Sequence, residues 1–208
     1  LPSRLGFALY ASVSMWAIGY VAYRRGARKW MLAAYLAMPL TFYNGLDVNV
    51  DWMVAVGYIL PPVWGLPLVL IKPQLGIGVA FYWAVRTFKD GGIKSTVLTF
   101  TPAAILFGLS IFMYGNYFLK YERLIKSQEV LWFTSIPVAV VLLAFALREN
   151  KAGYAIAASP FLAPYISPGS LPIALLGIIE HPHLSLPALL GLWILSIEEI
   201  AYLLIKIL

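Results

Sequence analysis

Long apolar runs separated by short charged clusters set the pattern of this chain. From Leu5 to Tyr23 no charged residue interrupts the run, and its length falls within the about 17 to 25 residues that a helix needs to cross a bilayer. Arg24, Arg25, Arg28 and Lys29 follow at once, and a basic loop beside an apolar segment is expected on the cytoplasmic side. Trp30 to Tyr43 is a second, shorter run, ending in the acidic stretch from Asn44 to Asp51, which the alternation places on the outer side. Trp52 to Ile71 predicts a return crossing, broken at Pro61-Pro62 and Pro67, because each proline lacks a backbone donor and clashes one turn back. Lys72 is then expected at the cytoplasmic end. Gln74 to Val85 is too short to span and has basic flanks in Lys72, Arg86, Lys89 and Lys94, which predicts a re-entrant or interfacial helix. Asp90-Gly91-Gly92 supplies the turn after it.

Further along, Ser95 to Tyr114 predicts an outward crossing and Asn116 to Val130 an amphipathic segment on the outer headgroups. Leu131 to Leu147 returns, which puts Arg148 and Lys151 beside the other cytoplasmic loops. Pro160, Pro164, Pro168 and Pro172 exclude one straight helix from Gly153 to Ile179. The spacing predicts a helix rising to Tyr165, a reversal at Ser167-Pro168-Gly169-Ser170, a short descending helix to Glu180, and a final span from Leu184 to Ile205. The fold class is therefore an all-α integral membrane protein, one polytopic domain over residues 1–208. It has about six to eight transmembrane or re-entrant helices, several broken by proline, and belongs in the inner or plasma membrane.

Composition agrees, since 62% of the residues are apolar and only 12% charged, against roughly 25% charged in soluble proteins. The net charge of +6 sits at the ends of apolar segments and forms no continuous stripe, which excludes nucleic acid as a partner and leaves membrane lipids and other membrane chains. Cysteine is absent, so disulfides, thiolate metal sites and cysteine nucleophiles are excluded. The chain opens on Leu1 rather than on methionine, as expected of a processed, truncated or partly sequenced product. Its first apolar run is too long and too aromatic for a signal peptide.

Four groups of residues carry candidate chemistry. Asp47 and Asp51, in the outer loop, are carboxylates beside a bilayer, suited to act as a general base toward a sugar or to hold a metal. The alternative is that Asp51 caps the helix beginning at Trp52. In Ile71-Lys72-Pro73-Gln74-Leu75-Gly76, Lys72 lies at a depth where an ammonium meets lipid phosphates, and Gln74 offers both donors and acceptors. Here the alternative is a snorkelling lysine followed by a proline at the first helical position. Glu180-His181-Pro182-His183 holds the only histidines, but their spacing and the lack of a third ligand make a solvated turn, and no metal site is assigned. Glu198 and Glu199 are costly inside an apolar helix unless they face a polar cavity or lie near headgroups. No motif names a cofactor.

The segments Asn44-Gly45 through Asn49 and Asp51, the broken run with Pro61-Pro62, Leu70-Ile71-Lys72-Pro73-Gln74-Leu75-Gly76, and Ser159-Pro160-Phe161-Leu162-Ala163-Pro164-Tyr165 together resemble polyprenyl-phosphate-sugar-dependent glycosyltransferases. These belong to the mannosyltransferase-like branch of the GT-C superfamily, and the similarity spans Asn44 to about Tyr165. The resemblance implies a lipid-phosphate-linked sugar donor and a carboxylate general base. In that family the catalytic acid lies in the first outer loop near the N-terminus, to which no segment here corresponds. The family's catalytic residue therefore cannot be carried over. Asp47 and Asp51, read from the outer loop itself, are the candidate catalytic residues, while Lys72 and Gln74, expected across the membrane from them, are candidates for lipid or partner contact. A rival reading is a non-catalytic structural or accessory subunit of a larger membrane complex, packing its seven Trp and thirteen Tyr against other chains. A transporter is a third, drawing on the broken helices and the glutamates, although no inverted repeat is visible.

Overall fold

The computed structural model describes residues 3–46, 49–115, 129–164 and 168–207. Among them every regular element is helical: α1 Ser3–Arg24, α2 Lys29–Leu36, α3 Pro39–Leu46, α4 Asp51–Gly57, α5 Pro62–Val69, α6 Pro73–Tyr114, α7 Glu129–Glu149, α8 Ala152–Leu162, a 3-10 turn Pro168–Ser170, α9 Leu171–Leu175 and α10 Pro182–Ile207. Two helical stretches, Arg4–Arg24 and Pro73–Tyr114, are long and apolar enough to cross a membrane.

Helix α1 is apolar on every side, but its small residues choose the inward face. Ala11, Ser14, Ala17, Ile18, Val21 and Ala22 are buried, whereas Trp16, Tyr20 and Tyr23 are exposed. Small side chains on one stripe let α3 approach so closely that a Cβ on Gly45 would lie 2.6 Å from the Met15 sulfur. The helix ends in a Schellman turn, with Gly26 at φ 86° donating to Tyr23 O and Ala27 donating to Ala22 O, both at 3.0 Å. Helix α7 closes in the same way, through Asn150 at φ 56° and a 3.0 Å bond from Lys151 N to Ala146 O.

The stretch from Trp52 to Ile71, expected to cross the membrane, instead turns back on itself. Helix α4 stops at Gly57 and α5 begins at Pro62, because Pro61-Pro62 interrupts the ladder and starts a new helix. The two short helices pack through glycine: a Cβ on Gly65 would come within 2.5 Å of Gly57 O and 2.9 Å of the Trp83 ring. With α4 only seven residues long, about 10 Å, the pair is a helical hairpin whose two ends lie together.

Helix α6 departs from expectation in the opposite sense. The run from Gln74 to Val85 is part of a longer arm that continues through Arg86 and Asp90, which pair at 3.4 Å one turn apart. That intrahelical pair carries the helix past its apolar stretch. At Gly91 (φ −152°) and Gly92 (φ 65°) the helical geometry breaks. Thr87 Oγ1 then lies 3.3 Å from Thr96 Oγ1, although nine residues of straight helix would hold them about 13 Å apart. The chain folds back there, at the turn expected from Asp90-Gly91-Gly92.

Two ends of the helical body follow from these contacts. At one, Arg25 donates to the carbonyls of Leu176 (3.4 Å) and Gly177 (3.2 Å), and Tyr82 donates to Asn150 at 2.8 Å. Gly153 and Gly177 meet there backbone to backbone, each leaving no room for a Cβ. The other end gathers the start of α4, the start of α6 and the 3-10 turn. The expectation that Arg24 to Lys29, Lys72 to Lys94 and Arg148 to Lys151 share one side is thus corrected at Lys72 alone, which lies at the end opposite Arg25 and Asn150. The bond from Tyr82 to Asn150 keeps the following turn of α6, with Arg86, beside Asn150. The hairpin is the cause, since it returns the chain to the end from which it entered. The breaks expected in the proline-rich last third are present, with α8 ending at Leu162, a 3-10 turn at Pro168 and a separate α9.

Candidate functional site

A polar cluster forms where three element starts and one helix meet. Lys72, the residue before α6, is held extended at φ −120°, ψ 92°, as a residue preceding proline prefers. That conformation turns its side chain away from α6 and toward the first turn of α4, where the ammonium pairs with Asp51 Oδ1. Ser170 Oγ accepts from Lys72 Nζ at 3.2 Å and donates to Asp51 Oδ2 at 2.9 Å. From α3, the Asn44 amide donates to the same Oδ2 at 3.1 Å and to Gly169 O at 3.0 Å.

The cluster is enclosed. Asp51 and Ser170 have no exposed surface and Asn44 has 3%, while the Lys72 side chain keeps 18%. An ion pair taken out of water is stabilised by hydrogen bonds to its remaining lone pairs and protons. Ser170 and Asn44 supply them at Oδ2, whereas Oδ1 meets only the Lys72 ammonium. Asn44 Oδ1 and, one turn earlier on α3, Thr41 Oγ1 are buried without a partner. Around the cluster, the Tyr35 hydroxyl donates to Pro172 O at 2.9 Å and the Tyr58 hydroxyl to Leu75 O at 2.8 Å, while Trp52 Nε1 donates to Tyr10 OH, which donates to Asn49 O.

Two expectations about these residues are corrected. Asp51 does not cap α4: the N-cap is Val50, without a side-chain cap bond, and the Asp51 carboxylate points across to Ser170, Asn44 and Lys72. Lys72 does not lie across the membrane from Asp51, because the α4–α5 hairpin brings it back to Asp51. Pro73 does occupy the first helical position of α6, as the sequence implied. Gln74 is half-buried in that first turn and has no hydrogen-bond partner among the described residues. Asp47 lies outside the described residues.

Ser170 was missed as a site residue because nothing in the sequence pairs a serine in a proline-rich turn with an aspartate far upstream. Its one signal, a serine just ahead of Leu171-Pro172, reads as a helix start, yet no side-chain cap bond forms there.

At the opposite end, burial pushes the Arg25 guanidinium below its usual value, and the Glu180 carboxylate, 3.7 Å away, opposes that shift. His181 stacks on Tyr154 with ring centroids 5.5 Å apart, and its Nε2 lies 3.6 Å from Glu180 Oε1. Among the described residues no three His, Asp or Glu side chains gather where they would hold a metal. The side chains of Glu198 and Glu199 are outside the description. A crevice of about 520 Å³ runs between α8, α9 and α10, lined by Ala157, Pro160, Leu171, Ala174, Leu175 and Gly191 among others. No residue of the polar cluster lines it.

Comparison with protein families, curated proteins and solved structures yields no match.

Proposed function

We propose that the chain is a multi-pass integral membrane protein and forms the membrane body of a GT-C-like glycosyltransferase that takes its sugar from a polyprenyl-phosphate donor. One observation carries this reading: Asn44, Asp51 and Lys72, from separate stretches of the resemblance, meet at one end of the helical body. A cation that recognises a phosphate and a carboxylate that accepts a proton must lie near each other for such a transfer.

Membrane embedding is supported by the distribution of polarity. Asp51, Asn44, Thr41, Ser159 and Ser170 are buried, while Trp16, Trp64, Ile93, Leu106, Phe112 and Ile194, on four different helices, are exposed. A polar interior under an apolar exterior is stable in lipid, where exposed apolar surface carries no transfer cost. On this reading α1, the α2–α3 pair, both arms of α6, α7, α8 and α10 cross or partly cross the inner or plasma membrane, and α4–α5 is re-entrant.

In the proposed reaction Lys72, at the mouth of the cluster, engages the donor phosphate with Gln74 beside it. The acceptor hydroxyl gives its proton to the Asp51 carboxylate as it attacks the sugar, and polyprenyl phosphate departs. Asp51 becomes available only when Lys72 leaves it. The test is transfer of labelled sugar from a polyprenyl-phosphate donor in membranes containing the chain. Asp51→Asn and Lys72→Gln should each remove transfer; wild-type activity in either variant would refute the assignment.

A second reading, an accessory subunit of a larger membrane complex, is favoured by the full enclosure of Asp51 and by the exposure of the second arm of α6, where Phe112 is 88% exposed. Lack of transfer by the wild type, together with a stoichiometric partner chain on mild extraction, would establish it instead.

A further inference from the structure

Three donors converge on one carboxylate: the Lys72 ammonium on Oδ1, and the Ser170 hydroxyl and Asn44 amide on Oδ2. A cation with two neutral donors aimed at a common point is the arrangement that proteins present to an oxyanion ligand. Here Asp51, on the first turn of α4, fills that point from within the chain.

We propose that Asp51 is an internal occupant of an anion cradle formed by Lys72, Ser170 and Asn44, and that the phosphate of a lipid-linked donor displaces it. This rests on the phosphate-bearing donor of the reading above. The order of exposure sets the direction of exchange: Lys72 retains 18% of its side-chain surface while Asp51 retains none. An anion arriving from outside therefore meets the ammonium first and competes with the carboxylate behind it. Gln74, half-buried two residues after Lys72, adds an amide donor to the same turn. Exchange also has a consequence for the fold. Asp51 opens the α4–α5 hairpin and Lys72 closes it, so a phosphate on Lys72 unfastens the base of the hairpin and frees the carboxylate together. The contact is autoinhibitory: it holds the cation occupied and the base protected until the donor arrives.

Removing an internal occupant has the opposite effect from removing a simple binding residue. A binding-competent state that must first expel an internal competitor has its apparent affinity reduced by the fraction of time the cradle is open. The full chain in phosphatidylcholine nanodiscs is titrated with farnesyl phosphate, with farnesol as the uncharged control. Asp51→Asn should bind farnesyl phosphate about tenfold or more tighter than the wild type, and Ser170→Ala weaker, with farnesol unchanged throughout. Equal or weaker binding by a folded Asp51→Asn would overturn the proposal. A measurement on the wild type alone covers the case in which that variant fails to fold. With aspartate carrying a ¹³C side-chain carboxyl, farnesyl phosphate and not farnesol should shift the carboxylate stretching band in an infrared difference spectrum, and an unshifted band at saturation overturns it. Neither readout uses sugar transfer. Tighter binding by Asp51→Asn without transfer by the wild type would defeat the transferase reading alone, whereas transfer by the wild type without tighter binding would defeat the cradle alone.

Discussion

Asp51 and Lys72 form an ion pair that fastens the two ends of the α4–α5 hairpin, with Asp51 fully buried. Their proximity places both residues at one end of the helical body and makes the pair a structural clasp as well as a candidate site.

The clasp should appear in stability as strong coupling. Lys72→Met leaves a buried carboxylate uncompensated and should cost about 3 to 5 kcal/mol. Asp51→Asn with Lys72→Met should cost clearly less than the sum of the single changes. Unfolding in mild detergent measures all three, and additive losses would show that the two side chains do not interact.

Glycine replacements should separate close packing from open surface. Gly65→Ala places a Cβ 2.5 Å from the Gly57 carbonyl, which forces the hairpin apart at a cost of about 1 to 3 kcal/mol. Gly108→Ala meets nothing within 4 Å and should stabilise its helix by up to about 1 kcal/mol. Thermal midpoints of the two variants moving in the same direction would contradict this packing.

The turn after α7 depends on a non-glycine residue in the left-handed region, Asn150 at φ 56°. Asn150→Ala should cost more than Asn150→Gly by about 1 kcal/mol, because only the Cβ is penalised there. Tyr82→Phe isolates the 2.8 Å bond to Asn150 and should cost about 1 kcal/mol. Equal stability of the Ala and Gly variants would mean that this residue does not adopt the left-handed conformation.

The chain contains no cysteine, so single cysteines report sidedness directly. Arg28→Cys and Lys151→Cys should react with a membrane-impermeant maleimide from one side of sealed vesicles and Gln74→Cys from the other. Labelling of all three from the same side would restore the arrangement in which the basic flanks stand together.

Much of the local structure was readable from residue types. Proline marked where helices stop and start at Pro61-Pro62 and after Leu162. But α5 runs on through Pro67, where a break was expected, and α6, α7 and α10 run through Pro102, Pro137 and Pro187, so a missing donor does not by itself end a helix. Asp90-Gly91-Gly92 declared a turn, since the combination of φ 65° and ψ −164° found at Gly92 is open essentially to glycine alone. The long apolar runs declared helices, two of which are long and apolar enough to cross a membrane.

What the sequence alone determined was therefore local: helix, break, turn and the apolar character of the surface, each of which depends on residues within a turn or two. Tertiary structure decided whether Trp52 to Ile71 crosses or returns, because that depends on Gly57 and Gly65 allowing two backbones into contact. It also decided that Ser170 and Asn44 surround Asp51, since hydrogen bonds between residues far apart in the chain leave no periodic trace in its pattern. Basic residues at segment ends placed Lys72 only by assuming that Trp52 to Ile71 crosses, and one hairpin is enough to move Lys72 from one end of the body to the other.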